Sequence, residues 1–199
     1  MKLFWCPQTR SQRALWLLEE AGLDYDPVLI DIRDPEKPRD PDFAKASPLG
    51  KVPALADGPA LLSDSAAICL YIADKYPTAG LAPAVDDPAR APYLFWMVFT
   101  PGVVEPAMAE KFSGAEPNPV SHGWGSFDSM VAAFEKGVGD GPWMLGDAFS
   151  AADVMCGSSA CFMKQFGILP DSKPLNAYAE RCMARPAYQK SAAMSAGDG

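Results

Sequence analysis

Histidine is almost missing from this chain: His122 is the only one in 199 residues. No cysteine lies at ligand spacing from it in the loop 117–125, so the sequence offers no zinc-type ligand set. Long apolar runs are missing too. No stretch of about 18 uncharged apolar residues is present, as a membrane-spanning helix requires. Met1-Lys2-Leu3-Phe4-Trp5 passes straight into Cys6-Pro7 without a leader's apolar stretch or small-residue cleavage site. The expectation is a soluble, cytoplasmic protein with no membrane partner. Basic residues are in deficit, 17 against 25 acidic, for a net charge of −8. That field repels nucleic acid phosphates and anionic lipid in bulk, so neither is an expected partner. A small anion remains admissible, because a few local groups set the field inside a cleft. The five cysteines, Cys6, Cys69, Cys156, Cys161 and Cys182, are odd in number and scattered. They make no disulfide framework and read as reduced residues in apolar patterns.

What is present is ample core material, 49% hydrophobic, punctuated by 20 prolines and 16 glycines. Lys2 to Trp5 is a short apolar strand running into the loop Cys6-Pro7-Gln8-Thr9. From Ser11 to Ala21, Ala14, Leu15, Leu17, Leu18 and Ala21 share one helical face, and Gly22 is the stop signal. Tyr25 to Ile30 is a second strand. Pro35, Pro38 and Pro41 forbid regular structure until a helical turn at Phe43 to Ala46. Pro53 to Ala56 and Ala60 to Ser63 form a hairpin, and Asp64 to Tyr76 a helix. The order strand, helix, strand, then strand, strand, helix is that of a thioredoxin-like α/β sheet. The segment from Tyr76 to Pro88 is rich in breakers and reads as a linker. Helical periodicity follows at Arg90 to Thr100, Trp124 to Val138, Ser150 to Phe166 and Leu175 to Ala184, an all-α bundle. The expected division is 1–76, a linker 77–88, and 89–199. Ser150 and Asp153 form a capping box before an apolar run, with Phe149 and Val154 placed as its staple.

The chemistry concentrates in Lys51-Val52-Pro53-Ala54-Leu55 and, after the Gly58-Pro59 turn, in Ser63-Asp64-Ser65-Ala66-Ala67-Ile68. Pro53 cannot donate to a strand ladder, so it belongs at a strand start or a tight, cis-type bend that frees the Val52 amide and carbonyl. The polar trio 63–65 stands at a helix N-terminus, where unpaired amides and the helix dipole attract a carboxylate. Asp64 beside them offers a partner for an ammonium group. Together they fit an amino acid or small peptide.

Five segments carry a family resemblance: Leu15-Trp16-Leu17-Leu18-Glu19-Glu20-Ala21-Gly22-Leu23, Ser47-Pro48-Leu49-Gly50-Lys51-Val52-Pro53-Ala54-Leu55, Asp64-Ser65-Ala66-Ala67-Ile68, Leu145-Gly146-Asp147-Ala148-Phe149-Ser150-Ala151-Ala152-Asp153 and Arg185-Pro186-Ala187-Tyr188. In this order they resemble the soluble glutathione transferases of bacterial, theta-like type. The resemblance implies a thioredoxin-like domain holding glutathione as co-substrate, a helical domain lining the pocket of a small hydrophobic electrophile, and a homodimer. No metal or organic cofactor is implied. Val52 would pair with the cysteinyl backbone of glutathione across a cis Pro53, and Asp64 and Ser65 would hold its γ-glutamyl end. Lys51 is placed for a carboxylate of the tripeptide, and Lys37 or Arg39 for the glycyl end. Solvated surface is the alternative reading for these three cations.

Only a thiolate attacks an electrophile well, and an ordinary thiol has a pKa of about 8.5. Lowering it by about two units requires about 2.7 kcal/mol of preference for the anion. A hydroxyl and a helix N-terminus together can supply that. Donors therefore belong at the start of the first helix. Thr9 or Ser11 is the favoured donor, Arg10 the electrostatic alternative, and simple capping the competing role of either hydroxyl. Position 10 lacks the cysteine of beta-class members, and Gln8-Thr9-Arg10-Ser11 lacks the zeta-class serine signature, which argues against maleylacetoacetate isomerisation. Two further readings stand: a binding or regulatory module without turnover, and a glutathione-dependent thiol reductase using Cys6. Tyr93, Phe95, Trp96 and Phe99 read either as core or as a wall for the electrophile.

Overall fold

The computed structural model describes residues 1–34, 36–37 and 39–196. Pro35 and Pro38 of the expected proline-rich loop lie outside them. Along the chain run β1 (Lys2–Trp5), α1 (Ser11–Ala21), β2 (Asp26–Leu29), α2 (Pro41–Ala46), β3 (Ala54–Asp57), β4 (Ala60–Ser63) and α3 (Ser65–Lys75). A 3-10 turn at Pro77–Ala79 is followed by α4 (Arg90–Phe99), a π-helical turn (Thr100–Val104), α5 (Glu105–Ser113), α6 (Phe127–Val138), α7 (Ala151–Gln165), α8 (Lys173–Met183) and α9 (Pro186–Ala196).

The sheet order is β2-β1-β3-β4, with β1 parallel to β2, and β3 antiparallel to both β1 and β4. This is the thioredoxin-like arrangement that the strand and helix order predicts. One core cluster unites Phe4, Ile30, Phe43, Ala46, Ala54 and Ala56, and the Phe4 and Phe43 rings meet edge to face at 5.6 Å. Helix α1 buries its whole middle, Ala14 to Leu18. Its end is set by Gly22 at φ 62°, with the Leu23 amide returning to Leu18 O at 3.2 Å, a Schellman-type stop.

Two compact units emerge: Met1–Leu81 with the segment that starts at Arg185, and Ala82–Ala184. Helix α9 thus packs with the sheet unit, a grouping absent from the expected 89–199 block. The residues responsible belong to the Arg185–Tyr188 motif. Arg185 makes a two-pronged ion pair with Glu20 (2.5 and 2.7 Å), Glu20 also accepts the Trp16 indole N–H at 2.8 Å, and Tyr188 stands edge-on to Trp16 at 5.0 Å. Lys190 adds a pair with Glu19 at 2.6 Å.

In the second unit the path of α4 continues past its expected end. Pro101 has no amide to donate, and the chain passes it through the π turn, where the Glu105 N–H reaches back to Thr100 O. Helix α6 begins at Phe127 rather than Trp124, because Gly125 turns at φ 72° and Ser126 caps the helix with Ser129 as its box partner. Trp96 fills the notch left by Gly137: a Cβ there would lie 2.1 Å from its ring. Tyr93 and Phe99 are buried within the unit, whereas Phe95 is exposed, so three of the four α4 aromatics are packing residues. The Ser150–Asp153 capping box is present at α7. Asp153 does more than cap: it accepts the Ser150 amide (2.9 Å), the Met144 amide (2.8 Å) and the Tyr178 hydroxyl (2.9 Å). Burial pushes its carboxyl up to about 6 against those donors. His122 bonds Glu110 at 2.6 Å and stacks on Trp124.

Candidate functional site

Strand register brings the expected residues to one end of the sheet. Phe4 and Ser63 both face Ala54 across their ladders. The chain leaving β1 therefore runs beside the chain entering β3 and the chain leaving β4. Residues 6–11, 51–53 and 64–65 converge there, and parallel pairing of Trp5 with Leu29 adds the residues after β2.

Val52 precedes β3, and the Val52–Pro53 peptide is cis. Among the described residues nothing hydrogen-bonds the Val52 amide or carbonyl, so both remain available to a ligand. The approach to it is held by a residue the sequence reading passed over. The buried Ser47 hydroxyl donates to Lys51 O at 2.7 Å and accepts the Lys51 amide at 2.9 Å, while Gly50 turns at φ 62° with its amide on Ser47 O. The Lys51 side chain is exposed, as is Lys37. Arg39 lies across Gly50, its Nη1 3.4 Å from where a Cβ would stand, and over the Phe43 ring. Its buried Nε finds no hydrogen-bond partner among the described residues.

At α3, Asp64 is the N-cap and accepts the Ala66 amide at 2.8 Å. It sits at φ 78°, ψ 132°, a region that costs a non-glycine residue about 1–3 kcal/mol and that concentrates at ligand sites. Ser65 is buried, and neither its hydroxyl nor its amide bonds another described residue. An exposed carboxylate and open helix donors thus lie side by side, as a zwitterionic amino acid end requires.

The loop before α1 is closed by a relay of hydroxyls. Thr9 Oγ1 donates to Cys6 O at 2.7 Å. Ser11 Oγ accepts the Cys6 amide at 3.3 Å and lies 2.8 Å from Thr9 Oγ1. With the Thr9 proton committed to a carbonyl, the Ser11 hydroxyl is the donor of that pair. Thr9 also accepts the Ser11 amide at 3.2 Å. Ser11 is 0% exposed and Thr9 half-buried, so only Thr9 faces outward. Arg10 is the N-cap and is exposed. Cys6 is 2% exposed and its sulfur accepts from Arg33 Nη1 at 3.3 Å. All five cysteines stand outside disulfides and are buried, and burial pushes the Cys69 thiol up to about 12. Among the described residues no cluster has the composition of a metal site.

The family model described as Glutathione S-transferase, N-terminal domain, matches residues 5–75, the span that holds all three converging segments. Among curated relatives, the disulfide-bond oxidoreductase YfcG of Escherichia coli is 29% identical over 77% of this chain and 76% of its own. Glutathione S-transferase 3 of Zea mays is 26% identical over 97% and 93%. Among solved structures, a sphingomonad glutathione S-transferase complexed with glutathione superposes with a TM-score of 0.81 at 30% identity, covering 98% of both chains. The ternary complex of BphK, a bacterial transferase, gives a TM-score of 0.82 at 27% identity over 98% and 99%. A full-length match in both units, together with a model centred on the converging loops, carries the conclusion that this chain belongs to the soluble glutathione transferase family.

Proposed function

We propose that the chain is a glutathione transferase that binds the tripeptide at the end of its sheet and activates the thiol for attack on a small hydrophobic electrophile. The observation that carries this is the convergence of a Val52 main chain unpaired among the described residues, the open Ser65 donors and the half-buried Thr9 with its hydroxyl relay. Val52 pairs with the cysteinyl backbone next to the cis Pro53, Ser65 takes the γ-glutamyl carboxylate, and Asp64 takes its ammonium. Arg39, with an unsatisfied Nε, and Lys51 suit the glycyl carboxylate. Thr9 turns its proton from Cys6 O to the glutathione sulfur, and Ser11, buried beneath it, keeps the relay in place. Arg10 adds positive potential from the helix start. The thiolate lone pair then forms the new carbon–sulfur bond as a leaving group such as halide departs with its electron pair.

Turnover of an aryl halide with glutathione, alongside calorimetric titration of glutathione, tests this. Conjugation that fails in Thr9→Val while binding persists supports the assignment. Absence of binding heat overturns it, and binding without turnover favours the regulatory module. Likeness to the oxidoreductase YfcG favours a second reaction at the same site, in which the bound thiolate attacks a disulfide sulfur and releases the other sulfur as thiolate. A reductase using Cys6 is disfavoured by that residue's burial, and unchanged disulfide reduction in Cys6→Ala would exclude it. The exposed Leu94, Phe95 and Val98 of α4 support a homodimer, which sedimentation measurements test. No helix among the described residues is long and apolar enough to cross a membrane, in keeping with the cytoplasmic placement we propose.

A further inference from the structure

Helix α9 does more than cover α1. Its Ser195 hydroxyl accepts the Gln8 amide at 3.1 Å, a contact between residues 187 apart in sequence. Gln8 stands at φ 56°, one of two non-glycine residues with positive φ among those described; the other is Asp64, in the same site. Such a conformation persists only where surroundings over-determine it. Gln8 immediately precedes Thr9 and the hydroxyl relay. On the other flank the loop is held by Arg33, whose Nη2 donates to Pro7 O at 3.5 Å. Ser195 is buried at 8% exposure, so its hydroxyl is held in one place against the Gln8 amide, and losing its oxygen would leave that amide without its protein acceptor. The helix carrying it is fastened at its start by the two-pronged Arg185–Glu20 pair, so the hydroxyl is presented from a fixed base.

We propose that Ser195 is a positioning residue: from the C-terminal helix its hydroxyl holds Gln8 in the left-handed region and thereby aims Thr9 at the glutathione sulfur. This rests on the glutathione reading of the site. Ser195 touches no reacting atom and acts only through the loop, so its removal should leave tripeptide binding intact, because Val52, Asp64 and Ser65 lie on other segments, and should weaken thiolate stabilisation.

The test is the pH titration of thiolate absorbance in the binary glutathione complex, with kcat and KM, for wild type, Ser195→Ala, Ser195→Thr and Lys190→Ala. Ser195→Ala should keep the glutathione KM within about twofold while the bound thiol titrates about half a pH unit higher, about a threefold loss of thiolate at a pH well below its pKa. Ser195→Thr keeps the acceptor and should restore the wild-type titration. Lys190→Ala loosens the same helix away from the loop and should leave the titration in place. An unchanged thiol titration in folded Ser195→Ala, or an equal shift in Lys190→Ala, overturns the proposal while the glutathione reading stands. A wild-type protein that binds no glutathione overturns both.

Discussion

Asp64 caps α3 and, in the proposed complex, also pairs with an ammonium group, and two substitutions separate these roles. Asn accepts at an N-cap about as well as Asp, so Asp64→Asn should retain the Ala66 bond and change stability by less than about 0.5 kcal/mol. It removes the charge. A hydrogen bond to a charged group contributes about 1.5–3 kcal/mol and a neutral one about 0.5–1.5. The difference, about 1–1.5 kcal/mol, corresponds to about a five- to twelvefold weaker glutathione Kd, at the lower end because Asp64 is exposed. Asp64→Gly has the opposite profile. It relieves the cost of φ 78°, loses a few tenths of a kcal/mol of capping and frees the unfolded chain by about 0.5–1 kcal/mol. The net runs from about neutral to about 2 kcal/mol more stable, in a protein whose affinity falls at least as far as that of Asp64→Asn. Urea unfolding and isothermal titration read the two quantities separately. Wild-type affinity in Asp64→Asn would refute the ammonium contact, and clear destabilisation by Asp64→Gly would refute the strain argument.

Thr9→Val should lower kcat/KM by about 10–100-fold, the loss of one hydroxyl bond to a charged sulfur, and should also cost about 1–3 kcal/mol of stability by removing the partner of the buried Ser11 hydroxyl and amide; Ser11→Ala should cost a similar about 1–3 kcal/mol by stranding the buried Cys6 amide. Asp153→Ala strands the Met144 and Ser150 amides and the Tyr178 hydroxyl, and urea unfolding should register a loss of about 3–5 kcal/mol. Because burial holds the Asp153 carboxyl up near 6, the folded state binds its proton more tightly than the unfolded chain. Its contribution is full below the ordinary aspartate range and lost as pH rises to about 6; the non-titrating Asp153→Asn should flatten that part of a stability–pH profile. Gly137→Ala places a methyl against Trp96 and should cost about 1–3 kcal/mol or more in thermal unfolding.

Much of the site was legible because short-range rules speak at those positions. Proline before a strand at Pro53, a Ser-Asp-Ser run before apolar periodicity at α3, and hydroxyls ahead of α1 each have a local physical meaning, and strand order then predicts that they meet. Helix α1 agrees at both ends, since Gly22 marks its stop. Long-range pairing was not legible. The Gln8–Ser195 contact joins residues 187 apart, and nothing in either tripeptide announces it. Ser47 reads as one more loop serine until its two bonds to Lys51 are seen. Helices α5 and α9 lie outside the periodic segments that the sequence offered; the chain passes Pro101 by a π turn and carries Pro106 and Pro186 in the first turns of those helices, where a missing amide costs nothing. That Ser11 is buried and Thr9 only half-buried, on which the proposed donor rests, is not something periodicity gives for a loop residue.

The return of α9 to α1 makes the sheet-bearing unit of this protein discontinuous along the gene product. Synthesis proceeds from the amino terminus, so the sheet emerges early and then waits about a hundred residues for Arg185, Tyr188 and Ser195. During that interval Trp16 and Glu20 lack their partners on α9, and the Gln8 turn lacks its acceptor. A fragment stopped at the end of the first stretch is therefore an unfinished half rather than a self-contained fold, and the loop before α1 gains its last support only when α9 has been made.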